Sequence, residues 1–171
     1  MNEKTLDNLF YDTLRDMYYA EKHIIKTLPK LQEAAVTDDL KGAFETHLAE
    51  THGQVERLEK VFAMLDRKAV SKRCLAMDGI LAEGDEHLKE YAGSPANDAA
   101  LIASAQAVEH YEITRYGTLR RWAKQLGLSE GASLLKESLE EEAHADEILS
   151  KIAKAEANAK AKAGTNTGSR K

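Results

Sequence analysis

The sequence contains little cysteine and little proline, and each shortage excludes a class of structure. Its one cysteine in 171 residues, Cys74, cannot form an internal disulfide, and a single sulfur makes neither a zinc knuckle nor an iron–sulfur site. The low content of proline and glycine argues against collagen, proline-rich linkers and a many-turned β-sandwich. The composition therefore favours helices, and a metal site in this chain would have to use oxygen or imidazole ligands.

Long apolar runs are also missing. No segment approaches the roughly 18 apolar residues that a membrane span needs, and the opening MNEKTLDNLF lacks the basic-then-apolar layout of a secretory signal. We therefore expect a cytoplasmic protein with no membrane partner. The net charge is −5, and because residues 154–171 carry five basic residues against one acidic residue, residues 1–153 carry −9. A body of that charge is poorly suited to binding nucleic acid.

Apolar residues recur at helical spacing in four long segments, which predict four amphipathic helices. The first two segments meet at a short turn over 36–39 and the last two meet at Gly127, so each pair forms a hairpin. Residues 66–96 carry a shorter apolar pattern that fits an extra short helix in a long crossover. This order predicts an all-α, ferritin-like four-helix bundle of two antiparallel hairpins. We assign residues 1–153 to the bundle and 154–171 to a low-complexity basic tail that we expect to be disordered.

Carboxylates interrupt the apolar stripes of these helices. At about 100° per residue, Glu21 on the first helix, Glu109 and Glu112 on the third, and Glu142 on the fourth face the core. Asp146 leans the same way, one turn beyond Glu142. Because an unpaired buried charge is costly, such residues usually have a partner or a metal ion.

The second helix carries a more mixed set of polar residues. His47, Thr51 and Gln54 face inward, whereas Glu50 lies at the edge of the stripe, from which it could still reach the bundle axis. His47 is either a core histidine with protein partners or a ligand.

A possible metal-binding motif on the fourth helix faces away from the apolar stripe. Glu141 and His144 form the only Glu-x-x-His of the chain, a spacing that di-iron bundles use on two of their helices. On the helical wheel His144 falls opposite the apolar stripe and Glu141 lies outside its margin. We interpret both residues as solvent-facing.

The inward acids also share one level along the bundle. Glu21 and Glu50 straddle the first turn, and Glu112 and Glu142 straddle the second, each at about 15 residues or roughly 22 Å from its turn. This level favours Glu112 over Glu109 as the main ligand of the third helix, although both face inward. Oxygen-rich ligands from four helices at one level are how bundles hold two hard or borderline metal ions. The predicted metal ligands are Glu21, Glu50, Glu109, Glu112, Glu142, Gln54, Asp146 and His47.

Four blocks of the chain resemble the YciE/YciF family of bacterial stress proteins, nearer to its YciF side. They are "YYAEKHI" around Glu21, "HLAETHGQVERLE" from His47, "DAALIASAQAVEHYEITRYGTL" from Asp98 and "LLKESLEEE" from Leu134. The resemblance extends over nearly the whole chain before the tail. It implies a dimer-forming, rubrerythrin-related four-helix bundle with an extra helix, a metal site and expression linked to stress.

Seven of the candidate ligands match the family pattern by position: Glu21, Glu50, Gln54, Glu109, Glu112, Glu142 and Asp146. His144 is a feature of this chain. Relative to rubrerythrins, the inward Glu-x-x-His pairs are missing, which argues against a full di-iron redox centre of that type. A carboxylate-dominated site also suits manganese or magnesium.

Three functions are compatible with the sequence. The first is a di-metal carboxylate protein that binds two iron ions and oxidises them with oxygen or peroxide, as a ferroxidase or peroxidase would. The second is a structural or interaction protein in stress whose inward acids pair with lysine or arginine, Arg57 being the nearest candidate. The third is DNA protection through the basic tail, where contact with DNA would be weak and salt-sensitive. We favour the first because no inward lysine or arginine is evident at the level of the acids.

Overall fold

The structure, a computed structural model, describes residues 4–163, whose regular elements are all helices, with no β-strand among them. The elements are α1 (Leu6–Ala34), α2 (Asp38–Met64), α3 (Leu75–Glu90), α4 (Asn97–Gln125), α5 (Ser129–Ile152), a π-helical segment (Ala153–Ala157) and α6 (Asn158–Ala163). This order confirms the predicted hairpin, crossover helix and second hairpin.

The four long helices pack as a bundle of two antiparallel hairpins. α1 packs on α2 and α4 packs on α5, while contacts of α2 with α5 and of α1 with α4 join the two hairpins. α3 lies against α4 and α1, because the crossover has to travel the length of the bundle from the end of α2 to the start of α4. Gly127, with φ +78°, follows α4 in the left-handed conformation that glycine adopts without a Cβ clash. The predicted fold class is confirmed.

The turn between α1 and α2 is held by a residue of the second hairpin. The Asp98 carboxylate accepts hydrogen bonds from the backbone N–H of Val36 at 2.8 Å and from the backbone N–H and hydroxyl of Thr37 at 2.9 Å. Burial acts to raise the pKa of Asp98, but these hydrogen bonds outweigh burial and lower it below its usual value. The two hairpins are therefore fastened together at this end of the bundle.

Two hydrophobic clusters fill the bundle, and a polar layer separates them. The first cluster, near the α1–α2 turn, includes Ile24, Phe44, Leu101 and Leu149, and the second includes Phe10, Leu58, Leu119 and Leu135. On each long helix, buried polar residues lie close to where its members of the second cluster give way to members of the first. These residues, which we call the polar layer, are Glu21, His47, Thr51, Gln54, Glu109, Glu112, Ser138 and Glu142.

The first part of the predicted tail is helical, which corrects the expectation of disorder for residues 154–163. α5 continues through the π-helical segment into α6, and Ala157 is buried in the first hydrophobic cluster. Alanine is the strongest helix former, and Glu156 pairs with Lys160 one turn later, so local energetics favour the helix. The remainder of the predicted tail, residues 164–171, lies outside the described residues.

Candidate metal centre

Four buried side chains from three helices converge in the polar layer. His47 of α2, Glu109 and Glu112 of α4, and Glu142 of α5 each offer one ligand atom, and these atoms all lie within 4.8 Å of one another. We call this group the four-residue site. Each of the four residues is at most 4% exposed. Ligands that share one ion through bonds of about 2 Å lie up to about 4 Å apart, so small side-chain rotations would close the group around a cation.

His47 lies among carboxylates on every side. Its Nε2 atom lies 3.3 Å from Oε1 of Glu109 and 3.7 Å from Oε2 of Glu142, and its Nδ1 atom lies 3.7 Å from Oε2 of Glu50. Burial alone would lower the pKa of His47, but the carboxylates of Glu50, Glu142 and Glu21 outweigh burial and raise it. In the metal-free protein a proton is therefore favoured at this imidazole.

The carboxyl groups of the polar layer have more oxygen atoms than protein donors. Glu21, Glu109 and Glu142 each have one buried oxygen without a hydrogen-bond partner, and Glu112 has two. Burial, followed by the charges of Glu142 and Glu21, raises the pKa of Glu112 well above its usual value. Burial, followed by the neighbouring Glu142, does the same at Glu109. Without a cation, some of these acids therefore keep their protons at neutral pH.

Glu21 lies beside the four-residue site and keeps one oxygen available. Its Oε1 atom accepts a hydrogen bond from the hydroxyl of Tyr116, whereas its Oε2 atom has no partner. Burial and then the charge of Glu142 raise the pKa of Glu21 to about 8. Tyr116, which faces inward as its wheel position indicates, orients this carboxyl group.

Gln54 and Arg57 connect the site to the contact between α2 and α5. The Gln54 amide donates to Oε1 of Glu142 and, at 3.1 Å, to Oε2 of Glu141. Arg57 donates to the same Glu141 oxygen and, at 3.0 Å, to the Ser138 hydroxyl. Glu141 is therefore paired and partly buried, which corrects our interpretation of it as solvent-facing. The charge of Arg57 is directed to Glu141 and leaves the four-residue site without an arginine partner.

The other predicted ligands lie around the site. Glu50 is partly exposed and contacts His47 alone among the four site residues. Asp146 points to other partners, because its Oδ1 atom accepts from the Gln106 amide at 2.9 Å and its Oδ2 atom lies 3.3 Å from Nε2 of His110. His144 is exposed, as the wheel indicated. The structure thus brings together four of the eight predicted ligands.

The fold and the polar layer define a four-helix bundle with a buried carboxylate–histidine cluster. A family described as "Domain of unknown function (DUF892)" matches residues 5–162, so the chain belongs to this family.

The chain is 44% identical over 162 residues to the protein YciF of Escherichia coli strain K12, covering 94% of this chain and 98% of that protein. The crystal structure of YciF, described as an E. coli stress protein, superposes with a TM-score of 0.86 at 43% identity, covering 91% of this chain and 99% of that chain. YcfI from Rhodopseudomonas palustris, whose description proposes a structural role, superposes with a TM-score of 0.85 at 45% identity, covering 89% and 97%. The family resemblance inferred from the sequence is confirmed.

Proposed function

We propose that the protein binds divalent metal ions in the polar layer, most simply two ferrous ions. His47, Glu109, Glu112 and Glu142 would hold the first ion, and the free oxygen of Glu21 extends the ligand set toward a second. The observation that carries this proposal is the set of buried carboxylate oxygens without hydrogen-bond partners. Leaving such groups unpaired costs free energy, which a bound cation would recover.

The ligand types favour iron over magnesium, and the carboxylates also suit manganese. Imidazole suits iron and other transition metals, whereas magnesium prefers carboxylate, carbonyl and water oxygens. The residues around the site would fix its ligands: the Gln54 amide holds one oxygen of Glu142, and the Tyr116 hydroxyl holds one oxygen of Glu21. Such outer contacts orient metal ligands and tune their basicity. Binding a metal would also displace the protons that Glu109 and Glu112 keep in its absence.

Ferrous ions bound here would supply electrons to an oxidant, as in a ferroxidase or a peroxidase. Two ferrous ions give two electrons to one molecule of hydrogen peroxide, which takes up two protons and becomes two molecules of water. Consumption of an oxidant would fit a role in stress, which is the description given to the relative YciF. The carboxylates would neutralise the charge of the ferric product.

A structural or interaction role in stress is the alternative. Protein groups already contact several acids of the layer, as Gln54 does at Glu142, Tyr116 at Glu21 and His47 at Glu109. The relative from R. palustris also has a description that proposes a structural role. In this alternative the acids remain protonated or paired, and no metal binds.

Anaerobic titration of metal-stripped protein with ferrous iron separates the two functions. We expect saturation at about two ions per chain, and then, on addition of peroxide or oxygen, near-ultraviolet absorbance of ferric iron. Glu109→Gln and Glu142→Gln should each weaken binding, because an amide cannot replace the carboxylate charge. Glu140→Gln is the matched control, since Glu140 lies on α5 but is exposed and paired with Lys136. Binding no greater than in a buffer blank would favour the structural alternative.

The assembly and the location of the protein are part of the same proposal. We expect a homodimer, as the family resemblance implies, and a cytoplasmic location, as the lack of a secretory signal indicates; light scattering after size exclusion would test the dimer. No helix in residues 4–163 has both the length and the apolar character that a membrane crossing needs.

A further inference from the structure

Two cavities reach His47 and Glu109 from different sides of the bundle. The first, which we call the apolar cavity, lies between α1, α3 and α4 and has a volume of about 30 Å³. The second, the acidic cavity, lies between α2, α4 and α5 and has a volume of about 180 Å³. The walls of the apolar cavity include Ile24, Leu28, Ile80, Leu81, Ala105 and Val108. Asp39 and Glu50 line the acidic cavity.

The size and lining of the apolar cavity indicate which kind of molecule it can hold. A cavity needs about 10–15 Å³ to hold one water molecule, and the water also needs two to four polar partners. Thr27, Ser104 and Asp85 also line the cavity, as do His47 and Glu109, but most of its wall is aliphatic. Cavities with mostly aliphatic walls accept apolar guests such as xenon.

The acidic cavity has the chemistry that a cation requires. The carboxylates of Asp39 and Glu50 lie along it, and Glu50 contacts His47 of the four-residue site. Carboxylates attract divalent cations and raise their local concentration. The rest of this wall includes Phe44, Ile148 and Leu149, so the two carboxylates are the groups that would draw a metal ion to this side of the site.

We propose that the apolar cavity is a binding site for dioxygen beside the His47 and Glu109 wall of the four-residue site. The cavity matches dioxygen in size and in the mostly aliphatic character of its wall. Its use in oxidising a metal rests on the proposed function, whereas binding of dioxygen in the metal-free protein does not.

Paramagnetic relaxation of methyl groups by dissolved dioxygen tests the site in the metal-free protein. We expect the methyls of Ile24, Leu28 and Val108 to relax several-fold faster under oxygen than those of Leu119 and Leu135. All five residues are buried, but the last two belong to the second hydrophobic cluster. Equal relaxation in the two clusters would overturn the proposal.

Two glycines of α3 provide a blocking variant and its control. A Cβ atom at Gly84 would lie 3.6 Å from Cβ of Ser104, in the wall of the apolar cavity, whereas a Cβ atom at Gly79 meets nothing within 4 Å. Gly84→Leu should therefore remove the enhanced relaxation, and Gly79→Leu should preserve it. Enhancement that survives equally in both variants would show that the guest lies elsewhere and would refute the assignment.

The same variants distinguish failure of the dioxygen site from failure of the proposed metal-binding function. In iron-loaded protein, Gly84→Leu should slow oxidation by dioxygen several-fold while ferrous affinity stays unchanged. If the protein binds no metal, the proposed function fails, and the relaxation experiment still decides whether dioxygen occupies the cavity. If metal binds but relaxation is uniform, the cavity proposal fails and the metal site stands.

Discussion

Replacing Glu21 by glutamine should flatten the pH dependence of the stability of the metal-free protein between about pH 5 and pH 8. Glu21 is fully buried, and burial followed by the charge of Glu142 raises its pKa from 4.5 to about 8. Glutamine keeps an oxygen that can accept the hydroxyl hydrogen of Tyr116 and nearly the same volume. The substitution therefore removes a proton equilibrium with little change in shape.

The sign of this pH dependence follows from proton binding to Glu21 in the folded and unfolded states. Between pH 4.5 and about pH 8 the unfolded chain loses the Glu21 proton while the folded protein keeps it, so the free energy of unfolding falls as pH rises. The stability is fully present below the unfolded pKa, and the loss is complete above the folded one. A difference of one proton changes the free energy by on the order of 1 kcal/mol per pH unit.

Urea unfolding followed by helical circular dichroism, in chelator at several pH values across this window, provides the measurement. The stability of Glu21→Gln relative to the unsubstituted protein should increase by on the order of 1 kcal/mol for each pH unit. The exposed Glu140→Gln should show the pH dependence of the unsubstituted protein. Equal slopes for Glu21→Gln and the unsubstituted protein would mean that Glu21 is ionised in the folded state, and the reasoning would be refuted.

Three further outcomes are expected. Ferrous iron at about 100 times its dissociation constant should raise the free energy of unfolding by about 2.7 kcal/mol; the absence of a thermal shift would contradict binding to the folded state. Asp98→Asn should destabilise by about 1–3 kcal/mol in urea unfolding, because the carboxylate that accepts from Thr37 becomes an amide with one oxygen; an unchanged midpoint would contradict the role of Asp98 in fastening the hairpins. Arg57→Gln should cost about 1–2 kcal/mol through the lost pair with Glu141, yet leave ferrous affinity in the titration unchanged; a large loss of affinity would place Arg57 in the metal site.

The sequence carries most of the information about the fold and the polar layer. Apolar spacing identifies the long helices, and the two turns set the relative level of residues within each hairpin. Acids inside an apolar stripe are conspicuous because buried charge is rare. These two properties together predicted that Glu21, Glu112 and Glu142 would be buried at one level. The structure also places Glu109 in the site, a choice that the helical wheel left open.

The remaining details depend on side-chain reach and on contacts between helices, which a wheel does not contain. Asp146 leans inward by its angle, but its short side chain is occupied by Gln106 and His110. The pairing of Arg57 with Glu141 depends on how α2 and α5 are aligned, and these helices belong to different hairpins. Low-complexity composition suggested disorder after residue 153, whereas a run rich in alanine favours a helix once its start is held by α5.

The π-helical segment changes the direction in which the later side chains of the last helix point around its axis. Ala157 follows Leu149 by eight residues, and at about 100° per residue an α-helix would turn the two side chains about 80° apart. The i→i+5 hydrogen bonds of Ala153–Ala157 advance less per residue, and both Leu149 and Ala157 lie in the first hydrophobic cluster. The last helix can thus continue beyond Leu149 while its apolar side chains still face the hydrophobic core. Removing one residue from this segment would restore ordinary winding and swing every later side chain around the axis.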